Sequence, residues 1–162
     1  MGIGNIFKKT KGSIDCASIK NADDLYPQNS LTIVMTQTES GNVGTGWIDL
    51  AYEDYKYKSC FPHNLQFEVD ILEKDVDSDN LDYGTLEDYF VNALKKGCIT
   101  HPVSRVATDK GFIMDIYVDD ADFAMNLLTE MYEDPNKIVD FGCGFNHDPK
   151  WKEYSRIIKM TQ

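Results

Sequence analysis

The sequence lacks any long hydrophobic run. Its 162 residues contain no uninterrupted apolar stretch near the roughly 20 residues that a transmembrane helix needs. Residues 1–12 carry Lys8, Lys9 and Lys11 after only a few apolar side chains, far short of the apolar region of a secretory signal. The N-myristoylation pattern fails because Ile6 stands where serine or threonine is required. We therefore expect no stable membrane association.

Positive charge is also scarce. The chain has 16 lysine and arginine side chains against 27 aspartate and glutamate side chains, and its formal net charge is −11. Such a balance repels phosphate backbones, so the sequence predicts no direct binding to nucleic acid. A basic protein partner fits this charge, although solubility alone also accounts for it.

Cysteine and histidine are few and widely spaced. The four cysteines are scattered and no signal peptide precedes them to imply an oxidising compartment, so they are predicted to be free thiols. Thiolate and imidazole together can hold zinc, but residues three apart on a regular strand face opposite ways. Buried thiols beside structural histidines are the favoured interpretation. The pairs concerned are Cys60 and His63, Cys98 and His101, and Cys143 and His147, with Cys16 standing alone.

The motifs of common catalytic centres are missing. There is no G-x-S-x-G, no H-E-x-x-H and no P-loop, and the glycine-rich residues 41–46 lack the lysine and the following helix that phosphate binding requires. A Cys-His nucleophile would further need an orienting group and an oxyanion hole. We predict no catalytic residues and no cofactor, and a small metal-dependent or thiol enzyme is the alternative to a binding function.

One acidic segment matches the beginning of a calcium loop. Asp75, Asp77 and Asp79 have the alternating spacing of the first EF-hand ligands. The match then ends, because Leu86 occupies the position of the bidentate glutamate and Glu87 comes one residue late. A solvated acidic loop is favoured, and the sequence predicts no metal.

Strand and helix patterns begin after a polar lead. Residues 1–30 show no sustained period and predict a loosely ordered segment with little core, whereas residues 31–162 predict a single α+β domain. Residues 31–52 contain two β-rich stretches around a turn and predict a hairpin. The tyrosine-rich segment that follows, up to Pro62, predicts a surface loop.

Residues 64–146 follow the order strand, helix, strand, strand, helix, strand. This order predicts the split βαβ arrangement of a ferredoxin-like fold, with an antiparallel sheet and both helices on one face. The complete prediction is an α+β protein: a ferredoxin-like βαββαβ antiparallel sheet with an added N-terminal β-hairpin and a short C-terminal helix.

Local signals mark the ends of the helices and one tight turn. Thr85 can cap the first helix, and either Asp119 or Asp120 can cap the second. Asp148 is a natural N-cap for the C-terminal helix, with Pro149 at the first helical position. Gly111 can supply positive φ in the turn between the two middle strands of the ferredoxin-like unit.

An acidic sheet face is the predicted recognition surface. If the helices cover the side of the sheet that bears Phe67 and Val69, the strand period puts polar side chains on the other side. Electrostatic complementarity would let that face bind a basic protein partner, while a solvated face without a partner is the alternative. The candidate partner-binding residues are Glu68, Asp70, Asp115, Tyr117 and Asp140.

The end of the chain carries the pattern D-P-x-W-x-x-Y at residues 148–154. It resembles the end of an uncharacterised bacterial family, domain of unknown function 695. The L-E-D sequence at residues 86–88 and the turn at residues 109–111 agree with that family upstream. The resemblance covers roughly residues 64–154.

This resemblance implies a ferredoxin-like fold, a bacterial cytoplasmic protein and no established activity. The family is itself similar in fold to ribonuclease E inhibitor B proteins, which implies non-catalytic protein binding. The sequence therefore leads to a non-catalytic regulator or protein-interaction module that binds a protein partner, for instance a nuclease or a toxin, through its acidic sheet face.

Overall fold

The computed structural model describes residues 12–71 and 82–161. Within these ranges the chain forms a six-stranded antiparallel sheet and three α-helices, so the predicted α+β class is confirmed. Among the helices of these ranges, none has the length and apolar character required to traverse a lipid bilayer. The elements in chain order are β1 (Leu31–Gln37), β2 (Val43–Asp49), β3 (His63–Asp70), α1 (Tyr83–Leu94), β4 (Thr100–Ala107), β5 (Gly111–Val118), α2 (Ala121–Glu133), β6 (Asp140–His147) and α3 (Lys152–Ile158).

The strands lie side by side in the order β1-β2-β4-β5-β3-β6. Every neighbouring pair is antiparallel. β5 and β3 occupy the interior of the sheet, and β1 and β6 form its two edges. The N-terminal hairpin of β1 and β2 therefore extends the sheet beyond β4.

One face of the sheet is covered by α1 and α2. Alternate residues of the central strands, such as Phe67 on β3 and Met114 on β5, point toward these helices and are fully buried. Burying one such side chain stabilises the fold by about 2 kcal/mol, so this layer supplies much of the stability of the domain. The helices contribute Leu86, Phe90, Val91, Leu94, Ala124 and Leu128 to this first core.

Aspartate side chains begin the two long helices. The Asp82 carboxylate accepts a hydrogen bond from the Thr85 backbone N–H, so Asp82 caps α1 and the prediction of Thr85 as the cap is wrong. Asp120 caps α2, because its carboxylate accepts a hydrogen bond from the Phe123 backbone N–H. Of the two predicted candidates, Asp119 and Asp120, Asp120 is therefore the cap. Each cap satisfies a backbone donor that the helix itself leaves unpaired and is worth about 1 kcal/mol.

The opposite face of the sheet carries a second core, which is absent from the predicted fold. The predicted lead, in its described part, contributes buried Ile19 and Leu25. The predicted tyrosine-rich surface loop is wrong as well, because Tyr52 and Tyr55 are buried. This second core consists of Ile19, Leu25, Ile48, Tyr52, Tyr55, Cys60, Phe61, Val103, Tyr117, Trp151, Tyr154 and Ile157.

A disulfide joins Cys16 to Cys60 beside the second core. It links positions that are 44 residues apart in sequence and fastens the N-terminal segment to the segment before β3. The prediction of four free thiols is therefore wrong for this pair, whereas Cys98 and Cys143 are free. Sequence spacing could not show the pairing, because only the packing of the second core brings the two cysteines together.

The two hairpin turns use glycine in different ways. Gly41, between β1 and β2, has a φ of +86°, a conformation that glycine adopts without steric cost. Gly111 does not have positive φ, so that prediction is wrong. A Cβ at Gly111 would collide with the Val69 carbonyl oxygen, so glycine is needed there for the close approach of β5 to β3.

Candidate functional site

The five predicted partner-binding residues share one face of the sheet but differ in accessibility. Alternation along β3, β5 and β6 puts all five on the face away from α1 and α2. Glu68 is exposed, Asp70 and Asp140 are half-buried, and Asp115 and Tyr117 are buried beneath the second core. The prediction of one open acidic face is therefore corrected, because the half of this face that contains Asp115 and Tyr117 is closed.

A signal for this cover is present in β5. Residues 112–118 read F-I-M-D-I-Y-V, so Asp115 is the only charged residue in an otherwise apolar and aromatic run. A strand with one solvated face alternates between apolar and polar residues, whereas a near-continuous apolar run indicates burial on both faces. The sequence of β5 thus carried a sign of a second layer that was missed, and the aromatic residues Trp151 and Tyr154 supply part of this layer.

Asp115 has a structural role beneath the second core. Its carboxylate oxygens accept hydrogen bonds from Asn64 Nδ2 at 3.2 Å and from Ser104 Oγ at 3.3 Å. Burial is the main cause that raises the pKa of Asp115 above its ordinary value. With only 4% of its surface exposed, this residue is shielded from any partner.

Tyr117 anchors the C-terminal segment to the sheet. Its ring stacks on Trp151 with the ring centroids 3.9 Å apart, and its hydroxyl donates to Asp148 Oδ2 at 2.8 Å. The Trp151 Nε1–H donates in turn to the carbonyl oxygen of Phe61 at 2.9 Å. Tyr117 is therefore a packing residue and not a contact for a partner.

The prediction of Asp148 as the N-cap residue of α3 is wrong, because Trp151 takes that position, but the Asp148 side chain still reaches the start of the helix. Its carboxylate accepts from the backbone N–H groups of Lys152 and Glu153, although the helix begins at Lys152 and not at Pro149. These hydrogen bonds hold the pKa of Asp148 below its ordinary value against the opposing effect of burial. The D-P-x-W-x-x-Y pattern thus has a structural explanation, because its aspartate accepts hydrogen bonds from the start of the helix and its tryptophan and tyrosine are buried in the second core.

His101 is enclosed by aromatic rings in the covered half of the sheet. Its ring centroid lies 4.3 Å from that of Phe61 and 5.0 Å from that of Tyr26, and the Tyr52 hydroxyl lies 3.1 Å from its Nδ1. The side chain is fully buried, and burial lowers its pKa to about 3. A neutral, enclosed imidazole is a structural group and not an acid or base for a substrate.

The half of the same face that the described residues leave uncovered forms a depression, which we call the acidic hollow. Its volume is about 360 Å³. Half-buried Val106 and Ile113 provide an apolar floor, and Glu68 and Asp70 place carboxylates on it. The hollow is lined by Thr36, Gln37, Thr38, Glu39, Glu68, Asp70, Val106, Ala107, Thr108, Asp109, Lys110 and Ile113.

Two turns that are tied together form one wall of the acidic hollow. Ser40, in the turn after β1, donates its backbone N–H to Asp109 Oδ2 at 2.8 Å, and its hydroxyl donates to the same carboxylate. These hydrogen bonds, from the Ser40 side chain first, lower the pKa of Asp109. Asp109 is therefore a fixed negative charge on the rim.

Four carboxylates, those of Glu39, Glu68, Asp70 and Asp109, line the acidic hollow together with the ammonium of Lys110, and this balance favours a cationic ligand. Asp70 lies directly opposite Asp140 on β6, and like charges at paired positions of neighbouring strands destabilise a sheet. Lys137 offsets this repulsion in part, with its Nζ 3.5 Å from Asp140 Oδ1. Glu68 is paired with Gly142, where an added Cβ would meet open space, so the Glu68 carboxylate is reachable from solvent.

The two free thiols are poor nucleophiles. Burial raises the pKa of Cys98 and of Cys143 to about 12, so both are protonated at neutral pH, whereas the reactive species is the thiolate. We expect a disulfide reagent such as DTNB to label both far more slowly than it labels a small thiol in solution. Rapid labelling of Cys143 in the folded protein would instead support the thiol-enzyme alternative.

The predicted metal patterns do not come together. Asp75, Asp77 and Asp79 lie outside the described residues. Of the cysteine and histidine pairs, Cys60 forms the disulfide and His101 is enclosed by the aromatic cluster, so neither is available as a metal ligand. In the part of the chain that the structure describes, no three potential ligands lie close enough together to hold a metal ion.

Known proteins add no further constraint on the site. Comparisons of the chain with protein-family models, with curated proteins and with solved structures found no match in any of the three. The resemblance to a bacterial family therefore stays a prediction, and the functional interpretation rests on the geometry of the acidic hollow.

Proposed function

We propose that the protein is a non-catalytic regulator or interaction module that binds a positively charged segment of a partner protein in the acidic hollow. The observation that carries this proposal is the pairing of carboxylates with an apolar floor in the uncovered half of the sheet face. The other half of that face is used for packing, so the predicted recognition surface contracts to Glu68, Asp70, Asp140 and the rim around them.

The chemistry of the acidic hollow suits lysine or arginine side chains. Their aliphatic stems can lie on Val106 and Ile113, while their charged ends reach Glu68, Asp70 or Asp109. Arginine is the better fit, because its planar guanidinium can engage a carboxylate through two hydrogen bonds. A bound cation would also relieve the repulsion between Asp70 and Asp140.

The net charge of −11 supports the same class of partner. A negative protein attracts a basic partner over a long range and speeds the encounter, particularly at low ionic strength. The acidic hollow is where the attracted partner would bind, because the side chains around it can select a segment of the partner by shape. Salt should weaken binding, since the carboxylates on the rim are open to solvent.

We also propose that β3 to β6, with α1 and α2, form a ferredoxin-like unit to which the hairpin is added. The spatial order β4-β5-β3-β6 and the antiparallel pairing support this assignment. Membership of the bacterial family named above remains part of the proposal. A cytoplasmic location is not part of the proposal, because the disulfide between Cys16 and Cys60 is more typical of oxidising compartments.

Charge reversal in the acidic hollow tests the proposed function. We expect Glu68→Lys combined with Asp70→Lys to weaken binding of a short arginine- and leucine-containing peptide by about tenfold, equivalent to about 1.4 kcal/mol. Binding is measured by titration at low and high salt, and NMR amide shifts locate the peptide. The wild-type shifts should fall on β3, β5 and the turn around Lys110.

A matched control separates the site from the overall charge. Glu130→Lys combined with Glu133→Lys changes the net charge equally, on exposed positions of α2 beyond the opposite face of the sheet. This control should retain most of the affinity. Equal losses in both double variants, or amide shifts that avoid the acidic hollow, would contradict the proposed function.

A further inference from the structure

β1 is an edge strand without the usual protection against pairing. Natural edge strands are commonly guarded by lysine, proline or a bulge. β1 reads L-T-I-V-M-T-Q and has none of these, and its pairing with β2 runs without a break over all seven residues. In a chain of net charge −11, an uncharged edge of this length stands out.

The side chains of the hairpin add an apolar surface beside this edge. Ile33 is 73% exposed and Met35 is 75% exposed, and Leu31 and Val43 are also mainly exposed. Alternation puts Leu31, Ile33 and Met35 on the same side of the sheet as α1 and α2, which cover its more central strands. Among residues 12–71 and 82–161, nothing covers the hairpin or pairs with the outer side of β1, so the hairpin presents an apolar strip next to unpaired backbone groups.

The backbone of β1 shows which residues are available for pairing. The Thr38 N–H donates to the Asn42 carbonyl, and the Leu50 N–H donates to the Ser30 carbonyl. Because antiparallel hydrogen bonds alternate along a strand, the even-numbered residues of β1 face β2. The N–H and C=O groups of Leu31, Ile33, Met35 and Gln37 therefore point outward from the sheet.

We propose that β1 pairs with β1 of a second copy of this chain around a two-fold axis through Val34. In this register Leu31 lies opposite Gln37 of the second copy, and Ile33 lies opposite Met35 of the second copy. All four outward-facing residues of each strand are used, and each resulting pair can exchange two backbone hydrogen bonds. The apolar strips of the two copies then join into one continuous apolar surface.

The charges near the edge permit this self-pairing. If the register continues past the strand, Glu39 falls opposite Asn29 of the second copy, so no like charges meet. The acidic hollows lie on the other face of the sheet and remain open, and both face the same side of the joined sheet. The dimer would thus be bivalent for a basic partner, although the pairing itself does not depend on the proposed function.

Oligomeric state tests the proposal directly. We expect light scattering after gel filtration to give twice the monomer mass of 18.4 kDa at high concentration and a shift toward monomer on dilution. Ile33→Lys combined with Met35→Lys places lysines opposite each other twice and should abolish the dimer. Circular dichroism and thermal unfolding establish that this variant still folds, as expected for two largely exposed positions.

A charge-complementary variant tests the register itself. Ile33→Lys combined with Met35→Glu places opposite charges at each of the paired positions and should restore the dimer that the double lysine variant loses. Met125→Lys combined with Tyr132→Lys, on α2, is the control for added charge and should stay dimeric. A wild type that remains monomeric up to millimolar concentration overturns the proposal, as does a double lysine variant that still dimerises.

Discussion

Replacement of Cys16 and Cys60 by alanine should lower the free energy of unfolding by about 4 kcal/mol. The disulfide closes a loop across a sequence separation of 44 residues, and its removal returns that loop entropy to the unfolded chain. Denaturant unfolding of the double variant, compared with the oxidised wild type, measures the difference. Reduction of the wild type should reproduce the same loss.

Cys143→Ala is the control for the disulfide experiment. Cys143 is a half-buried free thiol, so its replacement changes one cysteine without opening a loop. Its effect on the free energy of unfolding should be about 1 kcal/mol or less. A double variant at Cys16 and Cys60 that loses no more than this control would show that the disulfide does not hold the native state together.

Reduction should also have a local effect on the second core. The N-terminal segment reaches the sheet through Ile19 and Leu25, and the Tyr55 hydroxyl donates to the Leu25 carbonyl at 2.6 Å. Without the disulfide, only noncovalent contacts such as these keep the segment in place. Hydrogen exchange should therefore accelerate first in residues 16–26 and leave the first core protected, because local opening needs less free energy than global unfolding.

The elements of the fold were largely predictable because their signals are local. Alternation along residues 65–71 gives β3, and the apolar stripe around Leu86 and Phe90 gives α1. The second core was not predictable in the same way. Its members come from segments without a period, such as the one that contains Tyr52 and Tyr55, and they meet only through contacts that are distant in sequence.

The sheet face that carries the candidate site was predictable, but the part of that face that stays open was not. The strand period correctly put Glu68 and Asp115 on one face, because alternation depends only on the backbone. Whether that face is open depends on what packs against it, and Trp151 and Tyr154 on the C-terminal segment decide this. The apolar sequence of β5 was the available sign that part of the face is covered.

His101 gives the second core a strong dependence on pH. The ring is fully buried among the side chains of Tyr26, Tyr52, Tyr55 and Phe61. The polar groups that these side chains bring near the ring are tyrosine hydroxyls and not carboxylates. The Tyr52 hydroxyl is 3.1 Å from Nδ1, and the Tyr55 hydroxyl is 3.5 Å from Nε2. These contacts provide no negative charge for an imidazolium, so burial keeps the ring neutral and lowers its pKa to about 3.

The sign of the pH effect follows from where the proton binds. Below pH about 6.5 the unfolded chain protonates His101, while the folded protein leaves it neutral down to about pH 3. The unfolded state therefore binds more protons, and stability is present above pH 6.5 and lost as the pH falls. The loss should approach about 1.4 kcal/mol per pH unit and total about 5 kcal/mol by pH 3.

Denaturant unfolding between pH 6.5 and pH 4 should isolate this contribution when the wild type is compared with His101→Gln. Glutamine keeps hydrogen-bonding atoms near both tyrosine hydroxyls but does not titrate, and the carboxylates that also protonate in acid are common to both proteins. The slope of stability against pH should be steeper in the wild type by about 1.4 kcal/mol per unit. NMR of the His101 ring should show no titration above pH 5. Equal slopes, or a ring that titrates near its ordinary pKa, would mean that solvent reaches His101 and that the second core is not closed.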